Sequence, residues 1–199
     1  MRINEKNGTC RITIQPGEYY VSRDKVIIST LLGSCVSVCM YDPIKRVVGM
    51  NHFLLAHKRR YPQDIPIIQS EAGRYGINAM ELVINEMMKQ GAQRRNLRAK
   101  VFGGGDVLRY YKNGRNNFFY VGEVNCRFAR EFLKNETIPV VASDLGGDYG
   151  RVIHFQSTDF AVYMKKIAHS KDTADIEHNY WKKTIQQQDE LEQKETQFW

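Results

Sequence analysis

Between Cys35 and Leu54 the chain has little choice but to double back on itself. From Cys35 to Tyr41 small or polar residues alternate with apolar ones at a period of two. Asp42-Pro43 interrupts the run, and Val47 to Leu54 returns as a second apolar segment. Alternation bounded by a proline-bearing turn predicts an antiparallel hairpin with a longer loop. In it Cys35, Ser37 and Cys39 face one way, and Val36, Val38 and Met40 face the other. Gly33-Ser34 turns the chain just before Cys35, so that thiol stands at the mouth of a strand rather than in its middle. The returning strand carries His52 among residues that otherwise read as core.

A cysteine and a histidine on neighbouring strands are the minimum set for a thiolate nucleophile and its base. Each also has a plainer reading. Buried cysteines pack as small apolar groups, and a single histidine in an apolar strand is commonly a satisfied core residue. The glycine favours the chemical reading. It permits a tight turn in which the backbone N–H groups of Ser34 and Cys35 can point at a substrate oxyanion. An imidazolium beside Cys35 would also hold the thiol in its ionised form.

The remaining chain surrounds this hairpin with strands and two helices. Residues 1–9 are polar and read as loose. Arg11 to Ile14, Glu18 to Ser22 and Lys25 to Ser29 read as strands. Ser70 is placed to cap a helix in which Ile77, Met80, Ile84, Met87 and Met88 recur at helical spacing, with Gly91 as its stop. Leu97 to Phe102 reads as a strand, Asn125 as the N-cap of a helix over Cys126 to Lys134, and Ile138 to Ala142 as another strand. Val152 to Gln156 and Phe160 to Met164 form a last hairpin. Strands that outnumber helices, with hairpins mixed among strand–helix units, predict a layered α/β sandwich with a mixed, largely antiparallel sheet. The expected division is one domain over 1–170 and a polar, acidic tail over 171–199, helical or disordered.

Composition narrows the function classes. The formal net charge is +7, yet Lys171 to Trp199 holds four basic and seven acidic residues, so the preceding body carries about +10. Lys58-Arg59-Arg60 and Arg94-Arg95 read as solvated surface, or as a means of steering an acidic helical partner. No signature of interleaved aromatic and basic residues points to nucleic acid. No run is apolar enough to insert in a membrane and no secretory signal opens the chain, so the expected compartment is cytoplasmic. The four cysteines agree: Cys35 and Cys39, on one strand, lie about 13 Å apart, too far to bridge. No H-E-x-x-H or paired C-x-x-C occurs, so neither a metal nor a cofactor is expected. His57, His154, His169 and His178 lack evident partners. The Gly103 to Gly105 and Gly146-Gly147 runs fit no phosphate-loop pattern and read as tight turns at an active-site rim.

Leu32-Gly33-Ser34-Cys35-Val36, followed by Gly49-Met50-Asn51-His52, resembles the CheD family of chemoreceptor glutamine deamidases. Gly103-Gly104, Gly122 with Asn125, and Asp144-Leu145-Gly146-Gly147 with Arg151 extend the likeness across roughly Glu18 to Ile167. The resemblance implies a layered α/β sandwich and a protein-glutamine deamidase with Cys35 as nucleophile and His52 as catalytic histidine. It further implies a hydroxyl residue six positions before the cysteine, here Ser29 with Thr30 beside it. Implied partners are receptor cytoplasmic helices and a CheC-type chemotaxis phosphatase. Methyl-ester hydrolysis by the same thioester route, and a non-catalytic adaptor, stay open as alternatives. Ala56 and Val124 depart from residues common in the family, a proline and an arginine respectively.

Overall fold

The computed structural model describes residues 1–6, 9–55, 66–106 and 121–168. The predicted sheet is two sheets. One has the order β1-β2-β4-β9-β10 and the other β3-β6-β5-β7-β8. Their strands are β1 (Arg2–Lys6), β2 (Thr9–Thr13), β3 (Tyr19–Ser22), β4 (Val26–Leu32), β5 (Val36–Asp42), β6 (Val47–Asn51), β7 (Arg98–Gly103), β8 (Val140–Leu145), β9 (Gly150–Gln156) and β10 (Val162–Ile167). Pairing is antiparallel except for β2 with β4 and β7 with β8. The first sheet stacks on the second, and helices α1 (Glu71–Lys89) and α2 (Val121–Asn135) cover the second sheet's far side.

Strand parity divides the core between these layers. Ile12, Ile28, Leu32, Ile153 and Phe155 of the first sheet meet Cys35, Cys39, Val48 and Met50 of the second. The opposite parity of β5 (Val36, Val38 and Met40) packs under Met80, Val83, Ile84 and Met87 of α1 and Phe128 and Phe132 of α2. Each such fully buried side chain contributes about 1.5–3 kcal/mol. The partly exposed ion pairs of Arg94 with Glu81 and Glu136 contribute at most about 1 kcal/mol each, so apolar burial holds the layers together. Arg94 is thereby engaged within the chain rather than offered to a partner. Lys58-Arg59-Arg60, His57, His169, His178 and the tail lie outside the described residues.

Three expectations need correction. The polar N-terminus is a strand: β1 pairs with β2 along its length, and the Met1 amino group meets the Glu18 carboxylate. As an edge ribbon it is held by backbone hydrogen bonds and needs no apolar face. Helix α2 begins at Val121, so Asn125 lies inside it, fully buried, rather than at its start. His154, expected to lack a partner, is hydrogen-bonded to Ser29. Ser70 does cap α1, accepting a hydrogen bond from the Gly73 N–H at 3.0 Å.

Candidate active site

The chain changes sheets between Leu32 and Val36, and the three peptide carbonyls of that crossover are each held. Gly105 N–H donates to Gly33 O at 2.7 Å, Asn125 Nδ2 to Ser34 O at 2.9 Å, and Gly104 N–H to Cys35 O at 2.7 Å. In a trans peptide the C=O and the next N–H point in opposite directions. Anchoring these oxygens therefore sets the directions of the Ser34, Cys35 and Val36 N–H groups, the last of which reaches Phe53 O at 3.0 Å. The anchoring loop must be glycine. A Cβ on Gly103 would lie 2.1 Å from Cys35 O, one on Gly104 would lie 2.0 Å from Cys126 Sγ, and both residues have positive φ. Gly146 N–H donates to Gly103 O at 2.9 Å, and Asp106 N–H to Gly147 O at 2.8 Å. The four expected rim glycines thus meet: Gly103 and Gly104 touch the crossover, and Gly146 and Gly147 brace them.

His52 approaches from the returning strand. Asn51 ends β6 by turning its side chain into the ladder, where its Oδ1 accepts from Val38 N–H at 2.9 Å. The His52 backbone then bonds across to Gly17 and Glu18, and the Val36–Phe53 bridge resumes the pairing. The register of Cys39 with Met50 continues through that bridge. His52 therefore lies opposite Ser37 and one diagonal from Cys35, on the same face, with backbones about 7–8 Å apart. Both residues are buried between the sheets, Cys35 at 0% and His52 at 2% exposure.

The imidazole is gripped from the other sheet. Thr30 Oγ1 lies 2.7 Å from His52 Nδ1 and 2.8 Å from Ile14 O. The hydroxyl has one proton, and Ile14 O can only accept it. Thr30 thus accepts from Nδ1–H, which in the neutral ring leaves Nε2 unprotonated. Nε2 is the one buried side-chain nitrogen or oxygen among the described residues without a hydrogen-bond partner. Such an orphan costs about 1–3 kcal/mol and so calls for a functional reason. Burial also pushes the His52 pKa down to about 3. A dry interior strips the charged ring of its hydration and so favours the neutral imidazole, which works against the expected ion pair with Cys35.

Ser29 and Thr30 have opposite parity, and only Thr30 faces the interior. Ser29 turns outward, where its Oγ lies 2.7 Å from Nδ1 of His154, its cross-strand partner on β9. Burial first, and then the Arg11 charge, lower the His154 pKa.

Two contributions escaped the sequence reading. Asn125 donates to Ser34 O and accepts from Leu55 N–H at 2.8 Å, so one side chain on α2 ties the cysteine crossover to the strand just beyond His52. The likeness includes both Asn125 and Arg151 without giving either a role, and the N-cap reading of Asn125 hides the fact that an asparagine within a helix is an unfavourable choice. Arg151 is fully buried behind the glycine loop. Its Nε donates to Asp144 Oδ1 at 2.7 Å, and its Nη groups donate to Tyr149 O and Gly146 O. Cys39 is a packing residue whose thiol is pushed up to about 12 by burial. Burial also raises the pKa of Cys126, which lies against the Gly103 and Gly104 carbonyls. The cysteines are unpaired as disulfides.

The comparisons with known proteins point one way. Residues 62–166 match the family model described as CheD chemotactic sensory transduction. A protein of Geobacter sulfurreducens named probable chemoreceptor glutamine deamidase CheD 1 is 48% identical over 95% of this chain and 94% of its own. One of Shewanella oneidensis named probable chemoreceptor glutamine deamidase CheD 2 is 49% identical over 79% of this chain and 77% of its own. Among solved structures, Bacillus licheniformis hypothetical protein YfiH gives a TM-score of 0.39 at 15% identity, covering 63% of this chain and 49% of that one. That likeness is too slight to define the fold, which rests on the strand pairings above. With nearly half its residues shared across almost the full length of the Geobacter protein, the chain belongs to the CheD family.

Proposed function

We propose that this protein converts glutamine side chains of chemoreceptors to glutamate, using Cys35 as nucleophile and His52 as base. The observation that carries the reading is the unpartnered Nε2 of His52, a residue held through Nδ1 by Thr30 and sharing its face of the hairpin with Cys35. As Cys35 Sγ attacks the amide carbon, its proton passes to Nε2, so charge forms only as the bond forms. The oxyanion is assigned to the backbone N–H groups of Ser34 and Cys35, whose directions the anchored carbonyls set. His52 then gives its proton to the amide nitrogen, the C–N bond breaks, and ammonia leaves a thioester. Water, deprotonated by Nε2, attacks the thioester, and the glutamate product departs as Cys35 regains its proton. The sum is amide plus water to carboxylate and ammonium, which requires no cofactor.

Thr30 orients His52, and the Gly103, Gly104, Gly146 and Gly147 loops form the floor behind the crossover. The compartment we assign is the cytoplasm, consistent with thiols that form no disulfide. No helix among the described residues is long and apolar enough to cross a membrane. The partners are receptor cytoplasmic helices as substrate and a CheC-type phosphatase as regulator. The phosphatase assignment predicts co-elution of the two purified proteins in size-exclusion chromatography, and separate elution would remove it. Mass spectrometry of a receptor cytoplasmic fragment tests the chemistry, since each Gln-to-Glu change adds about one dalton. Conversion by wild type and none by Cys35→Ala is the expected result. Equal conversion by both would remove the nucleophile. Receptor binding without conversion by either would make the protein an adaptor.

A further inference from the structure

Strand β8 is an edge strand of the second sheet, and among the described residues nothing pairs with its outer side. Val140 and Val141 on it are 45% and 50% exposed. Beside it, under the last turns of α2, lies a groove of about 370 Å³ whose floor includes Leu133, Ile138, Val140 and Leu145. Arg130 and Lys134, four residues apart on α2, stand at its lip and are exposed. An open apolar edge of this kind invites another chain to add to it, and the two cations select a negatively charged one.

The chain itself brings such a segment to this place. Strand β10 ends at Ile167, and Lys166 Nζ reaches Asp144 of β8 at 3.9 Å. The described chain therefore leaves the first sheet beside the end of β8, next to groove residue Leu145. Sheets stack about 10 Å apart, so about four or five extended residues suffice to pass the edge of β8 and reach the groove. Residues 169–199 supply far more than that. They carry net negative charge and include the acidic and apolar run Asp189-Glu190-Leu191-Glu192. We propose that the segment 169–199 docks in the groove beside β8, its carboxylates on Arg130 and Lys134 and its apolar residues on Val140 and Leu145. The segment covers the apolar edge in the chain's own free state.

Both tryptophans of the protein, Trp181 and Trp199, lie in this segment, so intrinsic tryptophan fluorescence reports on it alone. The experiment compares the intact protein with a synthetic peptide of residues 169–199, reading emission maximum and acrylamide quenching. The intact protein should emit to the blue of the peptide and be quenched several-fold less. Arg130→Glu with Lys134→Glu should return both readings to the peptide's values, with the far-UV circular dichroism of the body unchanged because both side chains are exposed. Raised salt should move wild type the same way. Peptide-like fluorescence in wild type would overturn the proposal. So would a blue shift that survives the double charge reversal, which would place the segment elsewhere. A blue shift that vanishes on dilution would also overturn it, because the groove would then be filled by a second copy.

Discussion

The neutral His52 makes a prediction whose sign separates two chemical pictures of the resting site. Its pKa is lowered by burial from 6.5 to about 3. Above 6.5 neither the folded nor the unfolded chain holds a proton on this ring. Between 6.5 and 3 the unfolded chain binds one and the folded chain does not, so stability is present above 6.5 and is lost as pH falls. The loss approaches about 1.4 kcal/mol per pH unit, or about 2 kcal/mol from pH 7.5 to 5. That is a sizeable part of a typical total stability of about 5–15 kcal/mol. His52→Gln removes the titration while its amide can still donate to Thr30. Other groups titrate over the same range, among them His154, but they are present in both proteins and cancel in the difference. Urea unfolding at half-unit pH steps should therefore show wild type losing about 2 kcal/mol relative to His52→Gln from pH 7.5 to 5. Parallel curves would refute the buried neutral imidazole. A difference of opposite sign, with wild type gaining stability as pH falls, would mean that the folded ring holds its proton and that an imidazolium–thiolate pair exists at rest.

Two further predictions concern the groups that hold the site. Thr30→Val leaves the buried Nδ1–H without an acceptor, a cost of about 1–3 kcal/mol; kcat for receptor deamidation should fall about ten- to hundredfold, with Thr30→Ser retaining activity and Ser29→Ala unchanged. The reverse pattern would move the orienting role to Ser29. Asn125→Ala strands both Ser34 O and Leu55 N–H, so urea unfolding should show a loss of about 2–4 kcal/mol, accompanied by a fall in kcat. Lost stability with kcat intact would reduce Asn125 to a strut.

What the sequence made legible was local. The period-two alternation from Cys35 to Tyr41 assigned each residue its face, because the pleat imposes that period along an unbulged strand. Ser70 and Gly91 marked the ends of α1. What it concealed was pairing at long range. The parallel neighbours β2 with β4, and β7 with β8, join strands separated by other elements, and no turn announces them. The choice between Ser29 and Thr30 depended on which side of β4 met the second sheet, a tertiary fact. Asn125 misled for the same reason: its side chain is satisfied by Ser34 and Leu55, distant in sequence, so a residue that usually starts a helix sits inside one. The polar β1 eluded a reading based on hydrophobic pattern, since Ile3 on it is 62% exposed.

The tandem hydroxyls of β4 show what holds the site in register. A strand slipped by one residue exchanges its two faces, and such a slip would bring Ser29 inward in place of Thr30. It would also turn Ile28 and Leu32, both fully buried, to the outer face. The second hydroxyl, bonded to another imidazole, therefore offers no spare register: the apolar neighbours of Thr30 along the strand decide which hydroxyl meets His52.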